Sequence, residues 1–380
     1  MSLFGSEESS HIGVDIGAGS IKVVELKETE DRPQLWTYGL VDNPIDIHLD
    51  TADTTPDRSQ DPETGDIVLP EEQEDQTPEG EEALDEEKIN TCAQTLEKLI
   101  KQSKVKGNKI TASLPVSYVF HTIVTVPEME EESREEVIEA EVDKLISRPV
   151  DEMQIVHREI PKDTEESDYQ RFLVTAAPRN LVKFYTAIFQ KAGLQLQELE
   201  TEAFSLQRSL VGEDPSTVLV VDVGTERSNF FIMDKGLPMT HRSIEVGGET
   251  INSALKGLTG LKGSDITQVK KDISKLKEED LDPEPFDQLT DPIIKEIEYG
   301  FDLYAHQSGN EQAKPEKIIL TGGSSFFPPL ARAIREYFDL KVFVGDPWAR
   351  VVYQQGLKSL LDELGPRMSV SIGLALRNLV

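Results

Sequence analysis

At 380 residues the chain is long enough for more than one hydrophobic core, so a two-lobed protein is the natural expectation. Its net charge of −32 excludes a broad basic face for nucleic acid or for an anionic bilayer. A single cysteine, Cys92, excludes an internal disulfide; the start "MSLFGSEESS" lacks a secretory leader, and no apolar run reaches the roughly 18 residues that span a bilayer, so a soluble, cytoplasmic protein is expected.

The first elements are a hairpin from Ile12 to Leu26, around "GVDIGAGSIK", with "PQLWTYGLV" continuing its sheet. The turn matches neither common phosphate fingerprint. The dinucleotide pattern needs a glycine where Lys22 stands, and the Walker loop needs a closing Gly-Lys-Ser/Thr. Taken alone the stretch reads as a strand, an Asp-x-Gly turn and a strand, which an ordinary hairpin also satisfies. Residues Asp42 to Glu87 then hold eighteen carboxylates against Arg58 alone, −17 of the chain's total charge. The part from Asp42 to about Leu84 has too few apolar residues to offset the entropy of ordering and is expected to be a disordered insertion, either a docking tail or simply a solvated loop.

Ile89, Cys92, Ala93, Leu96, Leu99 and Ile100 fall at helical spacing, which puts Cys92 in a core rather than in a reactive site. "KITASLP" returns to the sheet. From Tyr118 to Gly193 the pattern reads strand, helix (Glu130 to Ile146, with Ile138, Val142, Leu145 and Ile146 inward), strand, strand, and a helix ending on Gly193. "VLVVDVGTERSNFFIMDKG" then repeats the first hairpin, with Asp222 and Gly224 at its turn. "VGGETI" follows, and residues from Ile251 to about Gln312 are mostly helical. "IILTGGSSFFPPLARAIREYF" is a buried strand, a Gly-Gly-Ser turn and an amphipathic helix. The last helix, in "MSVSIGLALRNLV", lacks the basic face of a membrane anchor and reads as buried.

Two strand–Asp-x-Gly–strand hairpins far apart, with a late strand–Gly-Gly–helix turn, resemble the actin-like ATPase superfamily of actin, sugar kinases, chaperone ATPases and the cell-division protein FtsA. The resemblance implies an α/β fold of two lobes around a nucleotide cleft. Residues 1–117 would form the first half, with the acidic insertion at about 42–84. Residues 118–193 would form an inserted α+β subdomain. Residues 194–380 would carry the crossing segment, the second half with a helical subdomain at about 247–314, and a final helix returning to the first half.

Within the superfamily, "VDIGAGSIKVVEL", "VTVPEMEEESREEVIEAEVDKLISRPVDE", "ELETEAFSL" and "SIGLALR" resemble the PilM-type type IV pilus assembly proteins. FtsA carries a basic anchor after its last helix, and a related type II secretion protein carries a membrane span; neither is read here. The resemblance implies a scaffold that binds ATP and Mg2+ and grips the cytoplasmic N-terminal peptide of a PilN-like inner-membrane protein. Through that partner it would sit at the inner face of the membrane, with other platform proteins around it, self-association among its properties and no nucleic acid.

The site residues implied by the resemblance are as follows. Asp15 and Asp222 take the magnesium side. Gly17, Ala18, Gly19, Ser20 and Lys22 form the first phosphate turn, and Gly224 and Thr225 the second. Gly247 and Gly248 line the nucleotide, Lys270 meets ribose and adenine, and Gly322, Gly323 and Ser324 form the adenosine turn. Glu202, with Glu200 as rival, and Asp222 stand nearest the attacking water. Two departures from active relatives, Glu226 in the second turn and Thr267 where a Glu is usual, point to slow or absent ATP turnover, since phosphoryl transfer needs a positioned water beyond a phosphate grip. The rival readings are an FtsA-like filament and an active phosphotransferase.

Overall fold

The structure is a computed structural model that describes residues 9–42, 46–47, 85–146, 148–161, 169–282, 284–306 and 314–379. The chain begins with β1 (Ser10–Gly17), β2 (Ser20–Lys27), β3 (Gln34–Asp42), α1 (Glu86–Gln102) and β4 (Lys109–Leu114). β1 is buried along almost its whole length, which is why Ile12 to Ile16 is a near-continuous apolar run instead of an alternating one. Asp85 caps α1 by accepting from the backbone N–H groups of Glu87 and Lys88, at 3.0 and 2.9 Å. The expected acidic insertion lies outside the described residues apart from Asp42, Asp46 and Ile47. Of these, Ile47 is buried in the first core and Asp46 pairs with Lys88 at 3.1 Å.

A 3-10 turn, Val116–Tyr118, leads out of this sheet into β5 (Phe120–Pro127), α2 (Glu131–Asp143), β6 (Met153–Ile160) and β7 (Tyr169–Pro178). These strands form a separate sheet in the order β5-β7-β6. One face carries Val124, Val126, Phe172 and Val174 against Ile138 and Val142 of α2. Leu145, expected inward, is 49% exposed, because α2 ends at Asp143 and the chain has left the helical register by then. The other face was not foreseen as buried. Its Ile123, Ile160 and Leu173 join the core of the second lobe, beside Leu237 and Met239.

The sequence pattern makes α3 (Arg179–Lys191) the last element of the inserted unit. Its buried face, Leu181, Phe184, Tyr185, Ile188 and Phe189, instead packs into the core of the first sheet with Ile12, Val14 and Leu96. Gly193, at φ +69°, ends it as the sequence suggests. β8 (Leu196–Thr201) then closes the first sheet in the order β3-β2-β1-β4-β8. α4 (Glu202–Leu206), prolonged by a π turn over Gln207–Val211, crosses to the second lobe.

The second lobe repeats the design with β9 (Val218–Val223), β10 (Ser228–Asp234), β11 (Leu237–Ile244), α5 (Gly248–Thr259), α6 (Ser264–Ile273), α7 (Asp287–Ala305), β12 (Lys317–Thr321), α8 (Pro328–Phe338) and β13 (Lys341–Val344). Its sheet order, β11-β10-β9-β12-β13, is the same as that of the first: an antiparallel meander whose first strand pairs in parallel with a later strand, which in turn pairs in parallel with the last. The last helix, α9 (Lys358–Leu376), is buried from Met368 onward and returns to β1 and β2. Two glycines permit its approach. A Cβ on Gly13 would lie 1.9 Å from the Ser371 carbonyl oxygen, and one on Gly373 would lie 1.8 Å from that of Ser205 in α4. Among the described residues no helix is long and apolar enough to cross a membrane.

Candidate functional site

The two hairpin turns meet. A Cβ on Gly19, between β1 and β2, would fall 2.2 Å from Thr225 Oγ1 in the turn between β9 and β10. The second turn is tight, with Gly224 N–H donating to the Arg227 carbonyl at 2.9 Å. It is held from behind by Gly248 N–H, which donates to the Gly224 carbonyl at 2.9 Å and starts α5. On its other side, Gly322 sits at φ +87°, where a Cβ would lie 2.3 Å from Asp222 Oδ1, so a glycine is required twice over.

The result is a solvent-open cleft between the lobes. Asp15, Gly17, Ala18, Gly19, Ser20 and Lys22 line it from the first lobe. Glu202 lines it from the crossing helix, and Asp222, Gly224, Thr225, Gly322 and Gly323 from the second lobe. Gly247, Gly248, Lys270 and Ser324 do not line it but form the layer behind. There Lys270 Nζ donates to the Gly248 carbonyl at 3.3 Å and to Ser324 Oγ at 3.0 Å. Burial pushes the Lys270 ammonium down to about 8.

The charges in the cleft are unbalanced. Asp15, itself buried, accepts from Lys22 Nζ at 2.7 Å and from Ser113 Oγ at 2.9 Å. Glu202 accepts from the Val116 backbone N–H and from Asn229 Nδ2, both at 3.3 Å. Burial, reinforced by the neighbouring Asp15 and Asp222 carboxylates, pushes Glu202 up to about 8. Burial likewise raises Asp222 to about 6; nearby Lys22 opposes the rise and Asp15 adds to it. Asp15, Asp222 and Glu202 gather around Lys22, while the cleft's two arginines, Arg227 and Arg367, are paired with Glu245 and Asp42, a distribution that favours a cation at the carboxylates. Among the described residues no three His, Cys, Asp or Glu side chains converge closely enough to cage a metal directly. The donor set therefore fits a hydrated divalent ion, such as magnesium, which keeps most of its waters and takes one or two carboxylates together with phosphate oxygens.

Of the two rival glutamates, only Glu202 reaches the cleft. Glu200 is buried behind it, ion-paired with both Arg208 and Arg377. Glu226 is exposed on the cleft rim, its neighbour Arg227 pairs with Glu245, and Thr267 is exposed on α6. Four further residues complete the site: Ser113, Tyr118, Asn229 and Arg367. Arg367, on α9, stands beside Gly323 and pairs with Asp42 at the end of β3. For Asn229 a signal was present. Lys22 lies directly across the strand pair from Asp15, and Asn229 lies in the same relation to Asp222. Each hairpin thus sets a polar side chain opposite its aspartate, seven residues on. Arg367 had no such signal, because it precedes a run that reads only as buried.

Residues 79–379 match the family model described as type IV pilus assembly protein PilM. Among solved structures the chain is similar to a PilM-PilN type IV pilus biogenesis complex, at 19% identity over 97% of this chain and 98% of that chain, with a TM-score of 0.76. It is also similar to the ethanolamine utilization protein EutJ from Carboxydothermus hydrogenoformans, at 14% identity over 97% of this chain and 89% of that chain, with a TM-score of 0.50. No curated protein matches the sequence. The fold is the actin-like ATPase fold, two lobes of one strand order about a cleft, with an inserted α+β unit.

Proposed function

This chain belongs to the family of the type IV pilus assembly protein PilM, and from that premise we propose that, as a scaffold of pilus assembly, it binds ATP with magnesium between its lobes and the cytoplasmic peptide of a PilN-like protein on its inserted unit. The observation that carries the nucleotide part is the meeting of the two aspartate-bearing turns across one cleft. Their glycines leave backbone N–H groups approachable by phosphate oxygens. Lys22 supplies a positive charge at the first turn, and Asp15 and Asp222 hold the ion's waters. Magnesium, when bound, neutralises phosphate charge and relieves the repulsion among the carboxylates. Glu202 is the residue placed to orient a water. Without a cation its carboxyl is raised to about 8 by burial and by Asp15 and Asp222, and a bound divalent ion would lower it by offsetting those charges.

The likeness to a PilM-PilN complex supports the peptide part. The inserted sheet ends on the edge strand β6, whose outward Val156 is 61% exposed, and an edge strand can take an extended chain by main-chain pairing. The groove between the inserted unit and the first lobe is the proposed seat. Membrane association, on this reading, comes through the partner alone. Two measurements test the proposal. Magnesium-ATP at a hundredfold excess over Kd is expected to stabilise the protein by about 2.7 kcal/mol, and an unchanged melt refutes the cleft reading. The tail peptide of a PilN-like protein is expected to bind saturably, and not to a chain lacking 120–178. Concentration-dependent polymers with no peptide binding would instead favour a filament protein.

A further inference from the structure

The inserted unit touches the second lobe through a joint that is incompletely bonded. Arg171, on β7, faces that lobe beside Leu173 and Ile160. Its Nε and Nη2 are shut off from solvent and have no hydrogen-bond partner. Opposite stands Tyr304 of α7, fully buried, whose hydroxyl makes no hydrogen bond of ordinary geometry although Thr217 and Asp234 stand beside it. Both the Arg171 charge and the Asp234 charge reach this hydroxyl. Asp234 Oδ1 accepts from Thr217 Oγ1 at 3.0 Å. A guanidinium cannot shed its proton, and a buried donor without a partner forfeits its hydration with nothing in return. Such a group in a native structure calls for a reason.

The attachments of the inserted unit supply one. Four residues along the sheet from Arg171, where β5 pairs His121 with Thr175, His121 bonds the Pro238 carbonyl at 2.7 Å, which pins β5 to the start of β11. Pro238 follows Asp234 by only the tight turn Lys235–Gly236, so the pin and the carboxylate lie on the same corner of the second lobe. The stem of the inserted unit is tied to the cleft, because Val116 N–H donates to Glu202 and the His241 ring of β11 bonds the Val116 backbone. Val116 is thus a contact shared by the stem of the inserted unit and the cleft.

We infer that Arg171 is held in reserve for Asp234, and that the two form an ion pair in a second seating of the inserted unit, reached when the cleft is filled. The inference rests on the nucleotide reading for its trigger, but not for the unpaired state of Arg171. In the pair the two orphaned guanidinium nitrogens gain a carboxylate, and charge-assisted bonds of this kind are stronger than neutral ones. Filling the cleft and seating the unit then favour each other, since coupling between sites is reciprocal.

The test uses the full chain with Arg171→Met, Asp234→Asn and the double variant, melted with and without magnesium-ATP. Asparagine keeps the acceptor for Thr217. Without nucleotide, Arg171→Met is expected to melt at or above the wild type, because it removes two buried guanidinium nitrogens that have no hydrogen-bond partner. With nucleotide, each single substitution is expected to weaken binding by roughly fivefold or more, and the double by no more than either single. Arg171→Met melting below the wild type without nucleotide would show that Arg171 is already bonded and overturn the inference. So would single effects that multiply in the double variant. If the wild type itself ignores magnesium-ATP, the cleft reading fails, and the nucleotide-free comparison alone decides whether Arg171 stands unpaired.

Discussion

Lys22 reaches Asp15 over 2.7 Å from the directly opposed position on the neighbouring strand. The lysine therefore already neutralises one of the three carboxylates that crowd the cleft. Replacing it by Met leaves Asp15 with Ser113 alone and adds to the repulsion on Glu202 and Asp222. Lys22→Met is expected to lower the melting temperature without nucleotide and to abolish most of the shift given by magnesium-ATP. Differential scanning fluorimetry with and without the ligand checks both, and a full shift retained would remove Lys22 from the phosphate site.

Stability is expected to fall on both sides of neutral pH, for different reasons. His121 and His241 stack edge to face at 5.4 Å in the joint between the inserted unit and the second lobe. Burial lowers them to about 4 and about 3, respectively. A histidine depressed in the folded state adds stability above its unfolded pKa of about 6.5 and loses it as the pH falls toward 4. His121→Gln is expected to flatten that acid limb in urea titrations run from pH 7 to pH 4.

Glu202 acts in the opposite sense. Its folded pKa of about 8 lies above the unfolded value, so its contribution is most favourable below about 4.5 and is lost as the pH rises through 8. Glu202→Gln is expected to raise the melting temperature at pH 8.5 and to change it little at pH 5. An equal effect at both values would mean that the carboxyl is ionised across the range.

Gly373 sits where α9 crosses α4. Alanine there puts a carbon 1.8 Å from the Ser205 carbonyl oxygen, and two helices must part to admit it. Overpacking of this kind costs about 1–3 kcal/mol, and the upper end applies because the obstacle is backbone. Urea unfolding of Gly373→Ala measures it, and a loss below about 0.5 kcal/mol would mean the crossing is looser than described.

Ile47 is the buried foothold of the acidic stretch. Ile47→Ala is expected to cost roughly 2 kcal/mol, at the lower end for a buried Ile because it lies at the edge of the cleft. A deletion starting at Asp46 should therefore destabilise the protein by a similar amount, and one that keeps Ile47 should not. Comparing the two deletions in the same unfolding assay decides whether Ile47 is the anchor.

The strands and helices were legible because each carries its own period. β1 and β9 read as apolar runs, α1 as a stripe, and the glycine turns stood out between them. The cleft was legible only as a sum, since neither hairpin alone excludes an ordinary turn. What escaped was decided by long-range packing. Nothing local tells α3 that its apolar face meets Ile12 and Leu96 rather than the strands just before it. Ile123 and Leu173 alternate as any half-buried strand does, and only the assembled lobes show that their side of the sheet is covered too. Glu200 and Glu202 stand two residues apart, in β8 and at the start of α4, and the choice between them needed the arginines that occupy Glu200.

The return of α9 to β1 and β2 sets the order in which the protein can be made. Gly13 waits for Ser371, and Val24 and Leu26 share a core with Ile372 and Leu376. At about 5–20 residues per second, translation leaves that side of the first sheet bare for on the order of tens of seconds, while the inserted unit and second lobe follow. The second lobe has the strands for its own sheet once Val344 has emerged, but its face around Val220 and Phe231 also waits for Val370 and Leu374, so α9 closes both halves at once. A nascent chain stalled before Met368 would carry all the strands of both sheets with one face of each still bare, the species on which chaperones are expected to act.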